Sequence, residues 1–329
     1  MIKNVNSIKK TTFFIFIAFV FSISIFLFIM SIVPDYKYLE HKEFFSQNLP
    51  GEKIFIFGSS PIYAINPVDV SNHLLEKGHR YTVYNLGQGS SDAEEQLRTV
   101  DLVISQEPKI VVYGIAYQTF YSHGRTIVEK PPESLAAPPK LSDLLSTISL
   151  PFNTGLLDNP KFATINTFNH FYKKQTGNFQ EELERPYPNT PFFVLTSNAK
   201  TPAEQKDLEK GGKFANYKGN EIYPMNKNRT YSALKELIHI LNDHNIEVII
   251  FTTPHLKTWL EQVPTQQKEI FNSMLDDLEK EFNFEVFRLH DKYEVMDIWV
   301  DQFHHISHSE KTDFYSEEIV KMILTGIDE

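Results

Sequence analysis

The sequence contains no cysteine, and that single absence excludes disulfides, thiolate zinc sites and a cysteine nucleophile. An HExxH pattern is missing as well, so the twelve histidines offer no recognised metal-ligand spacing, and no metal or other cofactor is expected. There is no internal repeat that would indicate a solenoid or propeller. Acidic residues are absent from the first 34 positions, whose only charges are Lys3, Lys9 and Lys10; beyond them stand 29 basic against 42 acidic residues, a net charge of −13. A domain of that sign repels a phosphate backbone, which argues against nucleic acid as a partner.

Residues 11 to 34, TTFFIFIAFVFSISIFLFIMSIVP, lack any charged side chain. About 20 consecutive apolar residues suffice to cross a bilayer as a helix. A cleaved signal peptide has a shorter apolar stretch and a small-x-small cleavage site, whereas Ser31-Ile32-Val33-Pro34 is not such a site. The expectation is therefore a retained single-pass anchor in lipid. Positive charge before the span and Asp35 after it place the N-terminus in the cytoplasm and everything from Asp35 outside.

Beyond a juxtamembrane helix expected around Tyr36 to Asn48, short apolar runs alternate with helical patterns, the signature of a parallel α/β sheet. Five runs read as strands buried on both faces: Lys53–Phe57, Tyr81–Tyr84, Lys109–Tyr113, Glu247–Thr252 and Phe284–Arg288. Helices are predicted near 67–77, 92–106, 229–244, 263–282 and 309–325. In the third, Leu234, Leu237, Ile238 and Leu241 recur at i, i+3, i+4, i+7, which turns one apolar stripe toward the sheet. Residues of about 120–226, rich in Pro, Asn, Phe and Tyr, break the alternation. A stretch that long reads as an insertion with its own structure, its aromatics serving as core in preference to substrate-contacting surface. The expected organisation is a stub and anchor over 1–34, a juxtamembrane segment over 35–50, and a domain over 51–329 that carries the insertion.

Ligands in an open parallel sheet bind at the carboxyl ends of the strands, so the residues just after each strand are the informative ones. After the first comes Gly58-Ser59-Ser60-Pro61, a tight turn that thrusts out a hydroxyl; after the second, Asn85-Leu86-Gly87-Gln88-Gly89; after the third, Gly114-Ile115-Ala116-Tyr117-Gln118. Near the C-terminus stands Asp301-Gln302-Phe303-His304-His305. An Asp three residues before a His can orient the imidazole while the ring takes a proton from serine. His255, after the fourth strand, reads as a solvated loop histidine rather than a ligand for substrate or metal. Asn228-Arg229-Thr230 is a glycosylation sequon.

In this order, strand-GxS-helix, strand-NxG, strand-Gly and DxxH before a last helix, the chain resembles the GDSL/SGNH hydrolase family over roughly 51–326, the insertion excepted. The resemblance implies a three-layer, flavodoxin-like fold with a central parallel five-stranded sheet. It further implies Ser60 as nucleophile, Gly87 as an oxyanion donor, and Asp301 with His304 completing a triad; His305, with Asp301 four residues earlier, is the alternative base. Two positions depart from the family pattern. Ser59 stands where GDS has Asp, a variant also found in surface-polysaccharide relatives, and Ala116 stands where the third block supplies Asn. Ala116 cannot donate a hydrogen bond, so Tyr117 or Gln118 would have to substitute, or activity is reduced. The resemblance to anchored alginate O-acetylation proteins and to the D-alanine transfer protein of teichoic acid implies an esterase or O-acyltransferase acting on cell-envelope glycan, with a membrane acyltransferase as a possible partner. A catalytically degenerate surface module that binds glycan or that partner is the alternative.

Overall fold

The computed structural model of the chain describes residues 16–22, 24, 36–89, 91–121, 187–193, 202–203, 221–300 and 305–328. All described residues from His41 onward belong to one compact unit. Of the expected anchor, only 16–22 and Ser24 are described; they are helical, with Phe16, Phe19 and Phe21 exposed. Among the described residues, no helix is long and apolar enough to cross a membrane, and the remainder of the expected span lies outside them.

Five short strands form one parallel sheet: β1 (Lys53–Gly58), β2 (Thr82–Asn85), β3 (Ile110–Ile115), β4 (Glu247–Thr252) and β5 (Val286–Arg288), in the spatial order β2-β1-β3-β4-β5. This is the flavodoxin-like order of a doubly wound α/β fold, whose strand order reverses between β1 and β3. Continuous burial along β1, β3 and β4 explains why their sequences are apolar throughout rather than alternating. α1 (Tyr36–Phe45) precedes the sheet, and its Phe45 ring packs 5.7 Å from that of Phe55. α2 (Pro67–Glu76) packs against α8 (Asp313–Asp328), while α3 (Ala93–Leu97) and α4 (Val100–Ile104) pack against α5 (Arg229–Asp243). Two further helices, α6 (Lys257–Leu260) and α7 (Thr265–Phe282), link β4 to β5.

The stripe expected on α5 is found: Leu234, Leu237, Ile238 and Leu241 are all buried. Its polar side reaches α7 instead, through Lys235 Nζ to Glu281 at 2.9 Å and the Tyr231 hydroxyl to Asp277 at 2.6 Å. Asn228 caps this helix by accepting from the Tyr231 N–H at 3.0 Å, while its Nδ2 donates to Phe120 O at 2.9 Å. The sequon asparagine is only 4% exposed and committed at both ends of its amide, so it is not a glycan acceptor in the folded chain. The single helix expected over 92–106 is two, α3 and α4, broken at Arg98 and Thr99. Of the long insertion, residues 187–193 lie along the free edge of β2: the Asn85 N–H donates to Asn189 O at 2.9 Å and Asn189 Nδ2 to Val83 O at 3.1 Å. That segment covers an edge that would otherwise present unpaired backbone groups.

Candidate active site

The first catalytic candidate is fixed by the way β1 ends. Gly58 has φ +152°, and a Cβ there would lie 2.9 Å from Gly114 O and 3.0 Å from the Ile62 side chain. Only glycine turns the chain at this point without a clash. Ser59 then caps a 3-10 turn, Ser60–Ala64, with Pro61 in its first positions, and the Ile62 N–H donates to Ser59 O. The Ile62 side chain is driven into a socket lined by three glycines: a Cβ on Gly87 or Gly114 would approach it to 2.8 and 2.6 Å. Asn85 locks the turn from below, its Nδ2 donating to Ile62 O at 2.8 Å and Ile65 O at 2.9 Å. Ser60 is thereby raised, half-buried, at the carboxyl edge of the sheet where the strand order reverses.

The base arrives from the far end of the chain. Trp299 and Ile306 form an antiparallel bridge, supported by Val300 N–H to His305 O at 2.9 Å and Ser307 N–H to Ile298 O at 2.7 Å. Trp299 and Ile306 are buried, which pins this segment to the core. Successive side chains in extended backbone point to opposite sides, so His305 turns away from the face that buries Ile306. Its Nε2 lies 2.7 Å from Ser60 Oγ. Among the described residues, the ring that meets the serine is His305, the alternative base beside the His304 that DxxH spacing favours. His304 and Asp301 both lie outside the described residues.

The oxyanion candidates separate in position. The Gly87 N–H donates to Asn85 Oδ1 at 3.0 Å, so this amide already has an acceptor. Ala116 occupies the third-block position, buried, with its N–H donating to Thr119 Oγ1. Tyr117 is 2% exposed and stacks 4.0 Å from Phe271, edge-on to His255 at 5.3 Å. It is a core residue turned toward β4 and β5, with burial holding its phenol up at about 12, and this corrects its expected place in the oxyanion site. Gln118 is the half-exposed residue of the turn Tyr117–Phe120. Its Oε1 lies 3.3 Å from His255 Nε2.

His255 is also corrected: it is 0% exposed rather than solvated, and burial lowers its pKa to about 3. Its Nδ1 lies 2.8 Å from Thr253 O, and its ring leans on Trp259. A second buried imidazole, His290, sits 3.0 Å from Thr252 Oγ1, and desolvation lowers its pKa too. Thr252 Oγ1 already accepts from the Leu289 and His290 amides, so its own proton goes to His290 Nδ1.

On the other flank of the Ser60–His305 pair stand aromatics from three parts of the chain. Tyr63 stacks on Phe193 at 3.7 Å, Phe193 on His308 at 5.4 Å, and His308 Nδ1 is 3.3 Å from the Tyr187 hydroxyl. Burial holds His308 down at about 4 and raises Tyr187 to about 12, so both are neutral at pH 7. Phe193 is buried against these rings of the main domain; the other aromatics of the expected insertion lie mostly outside the described residues. Asn85, Tyr63 and His308 had no role assigned from sequence; the asparagine at the end of a buried strand was the one local signal. Among the described residues, no cluster of three His, Asp or Glu side chains is arranged to hold a metal.

No family model matches this chain, and no curated protein matches it. Among solved structures it is similar to the psychrotrophic esterase EstA from Pseudoalteromonas sp., in a structure inhibited by monoethylphosphonate, at 11% identity over 85% of this chain and 100% of that one, with a TM-score of 0.38. So remote a likeness transfers no function to this chain, and the reading that follows rests on the geometry of Ser60 and His305.

Proposed function

We propose that the chain is a serine esterase or O-acyltransferase that acts outside the cytoplasm on acyl esters of cell-envelope glycan. The observation that carries this reading is the 2.7 Å approach of His305 Nε2 to Ser60 Oγ at the carboxyl edge of the sheet. That is hydrogen-bond reach for a general base acting on a nucleophile. As Ser60 Oγ bonds to the ester carbonyl carbon, its proton passes to His305 Nε2 and the carbonyl π pair moves onto oxygen. Collapse expels the alcohol, which takes the proton back from His305 and leaves an acyl-serine. Water, or a sugar hydroxyl, deprotonated by the same ring, then attacks the acyl carbon, and Ser60 Oγ leaves with the proton returned by His305, freeing the acyl group as acid or new ester.

Asp301 is the orienter in this scheme, acting on the imidazolium from four residues before His305. The Ser60 amide opens the 3-10 turn, where an N–H has no partner within the turn itself, and is a donor to the forming oxyanion. No cofactor is needed for these steps. The glycan, the membrane lipid around the N-terminal segment and a membrane acyltransferase are the proposed partners, and the acidic net charge beyond residue 34 fits none of the roles of a nucleic-acid binder.

A non-catalytic module that binds glycan or the acyltransferase is the second reading. It is favoured by Ala116 in place of a donor and by the Gly87 amide being held by Asn85. Labelling of the full chain with a fluorophosphonate, together with p-nitrophenyl acetate turnover, separates the two. The esterase reading expects both signals in the parent protein and neither in Ser60→Ala. Absence of both from the parent protein makes the binding module correct.

A further inference from the structure

The turn that carries Ser60 and the segment that carries His305 meet a second time, through a ring that the Ser-His mechanism does not use. Within the 3-10 turn Ser60–Ala64, Pro61, Ile62 and Ala64 are buried, while Ser60 and Tyr63 share the half-exposed side. That pairing follows from 3-10 geometry, in which side chains at i and i+3 eclipse. On the other segment His308 stands three residues beyond His305; both are half-buried, whereas Ile306 and Ser307 between them are buried. Phe193 sits between the two, its ring 3.7 Å from that of Tyr63 and 5.4 Å from that of His308, at interplanar angles of 27° and 19°. Ser60, Tyr63, Phe193, His308 and His305 therefore make a closed circuit, whose last link is the 2.7 Å approach of His305 Nε2 to Ser60 Oγ.

The stack is not all that holds Phe193 in place. Asn189, four residues earlier, is tied to the edge of β2 by its carbonyl and its amide, with φ +63°, a left-handed backbone that asparagine adopts more readily than most residues. The Thr190 hydroxyl donates to Tyr187 O, and the Tyr187 hydroxyl lies 3.3 Å from His308 Nδ1. The two phenylalanines then face different neighbours: Phe192 stacks on His41 of α1 at 4.2 Å, and Phe193 turns to Tyr63. The segment 187–193 thus places a buried spacer, 8% exposed, between the turn of the nucleophile and the segment of the base. Removing the ring leaves a void that Tyr63 and His308 relax toward, and a shift of about 1 Å between reacting groups is enough to cost ~10²-fold in rate.

We propose that Phe193 is a positioning residue: wedged between Tyr63 and His308, it sets the distance between Ser60 Oγ and His305 Nε2, so that the docked segment 187–193 completes the active site. The inference rests on the esterase reading above and deepens it. A misplaced base raises the barrier to proton transfer from Ser60 while leaving ground-state binding of a small ester nearly unchanged.

The test uses the full chain, read as kcat and KM for p-nitrophenyl acetate, as the rate of Ser60 phosphonylation by a fluorophosphonate, and as melting temperature. Phe193→Ala should lower kcat and the phosphonylation rate by ~10²-fold with little change in KM. Phe193→Tyr, which restores the flat ring, should recover most of that loss. A ring that only adds packing would lower the melting temperature and leave kcat of the folded protein at the parent value. If Phe193→Ala is folded and keeps the parent kcat while Ser60→Ala abolishes turnover, the inference is overturned and the esterase reading stands. A loss carried by KM instead of kcat makes Phe193 a substrate contact and overturns it equally. If the parent chain shows no Ser60-dependent reaction, both fall. Should Phe193→Ala fail to fold, Phe193→Leu, which keeps most of the buried volume but not the flat ring, decides: a kcat lower by about tenfold or more at unchanged KM supports the spacer, and any smaller loss overturns it.

Discussion

The Ser60 hydroxyl is a poor nucleophile until something takes its proton, and two adjacent histidines compete for that role in the sequence. The Trp299–Ile306 bridge buries Ile306 on one side, and His305, turned to the other, meets Ser60. His305→Asn should therefore lower kcat for p-nitrophenyl acetate by roughly 10²- to 10⁴-fold, the usual worth of a general base, and His304→Asn should leave it near the parent value. The reverse pattern would reassign the base. DxxH spacing favours His304 because it counts residues along the chain, whereas the direction of the His305 ring is set by the bridge that its neighbour Ile306 forms with Trp299, which no motif records. The buried rings also predict a pH dependence. In the fold, burial depresses His255 to about 3 and His308 to about 4, so between those values and the unfolded value near 6.5 the unfolded chain binds more protons. Stability is thus fully present above about pH 6.5 and is lost as pH falls through that window, with a slope approaching ~1.4 kcal/mol per pH unit for His255. Urea unfolding at several pH values from 8 to 5 should show this fall, and His255→Phe should flatten it; a flat profile in the parent chain contradicts neutral burial.

Local elements aim these residues, and the socket under the first turn is the clearest case. Ile62 fills the space left by three glycines on β1, β3 and the segment after β2, so the turn that carries Ser60 is held by packing rather than by its own few hydrogen bonds. Gly114→Ala puts a methyl group 2.6 Å from Ile62 and 2.8 Å from Phe251, which should destabilise by about 1–3 kcal/mol. Ile62→Ala should cost about 2–5 kcal/mol. Because each change relieves part of the other's problem, the double variant should be less destabilised than the two losses added, a coupling that denaturant melts measure directly. Additive losses would mean that the contact is not what holds the turn. The strands that build this edge were legible: KIFIF and EVIIFT lie within β1 and β4, and all but the first residue of KIVVY within β3, because a strand buried on both faces has no choice but to be apolar. The stripe on α5 was legible for the matching reason at helical period. The tight turn after β1 was legible from Gly58-Ser59-Ser60-Pro61, but the extents of Ser60–Ala64 and Tyr117–Phe120 were not, since four or five residues carry no period, and their side-chain directions depend on neighbours far away in sequence. Tyr117 shows the consequence. Next to a strand end it reads as a site residue, yet Phe271 on α7 draws it into the core, and nothing local to residues 114–118 records that partner.

At the scale of the whole chain, the sheet edge, the acidic balance and the apolar N-terminal run make one testable picture. Residues 11 to 34, uncharged, mostly apolar and preceded by three lysines, are proposed to form a span with its N-terminus inside, which would put Ser60 and His305 on the outer side of the membrane, where envelope glycan is. The absence of cysteine makes the topology directly measurable, because any single introduced thiol is the only one to react. Lys77, at the end of α2, is exposed, and Lys77→Cys should react with a membrane-impermeant maleimide in intact cells. Ser7→Cys should react only after the membrane is permeabilised. The full chain should also remain with the membrane fraction under alkaline carbonate, which strips peripheral proteins but leaves a spanning helix in place. Labelling of position 7 before permeabilisation, or of position 77 only after it, would invert the orientation and put the Ser60–His305 pair where no envelope glycan reaches. Release of the chain by carbonate would remove the span itself, and with it the physical reason for proposing a substrate anchored in the same envelope.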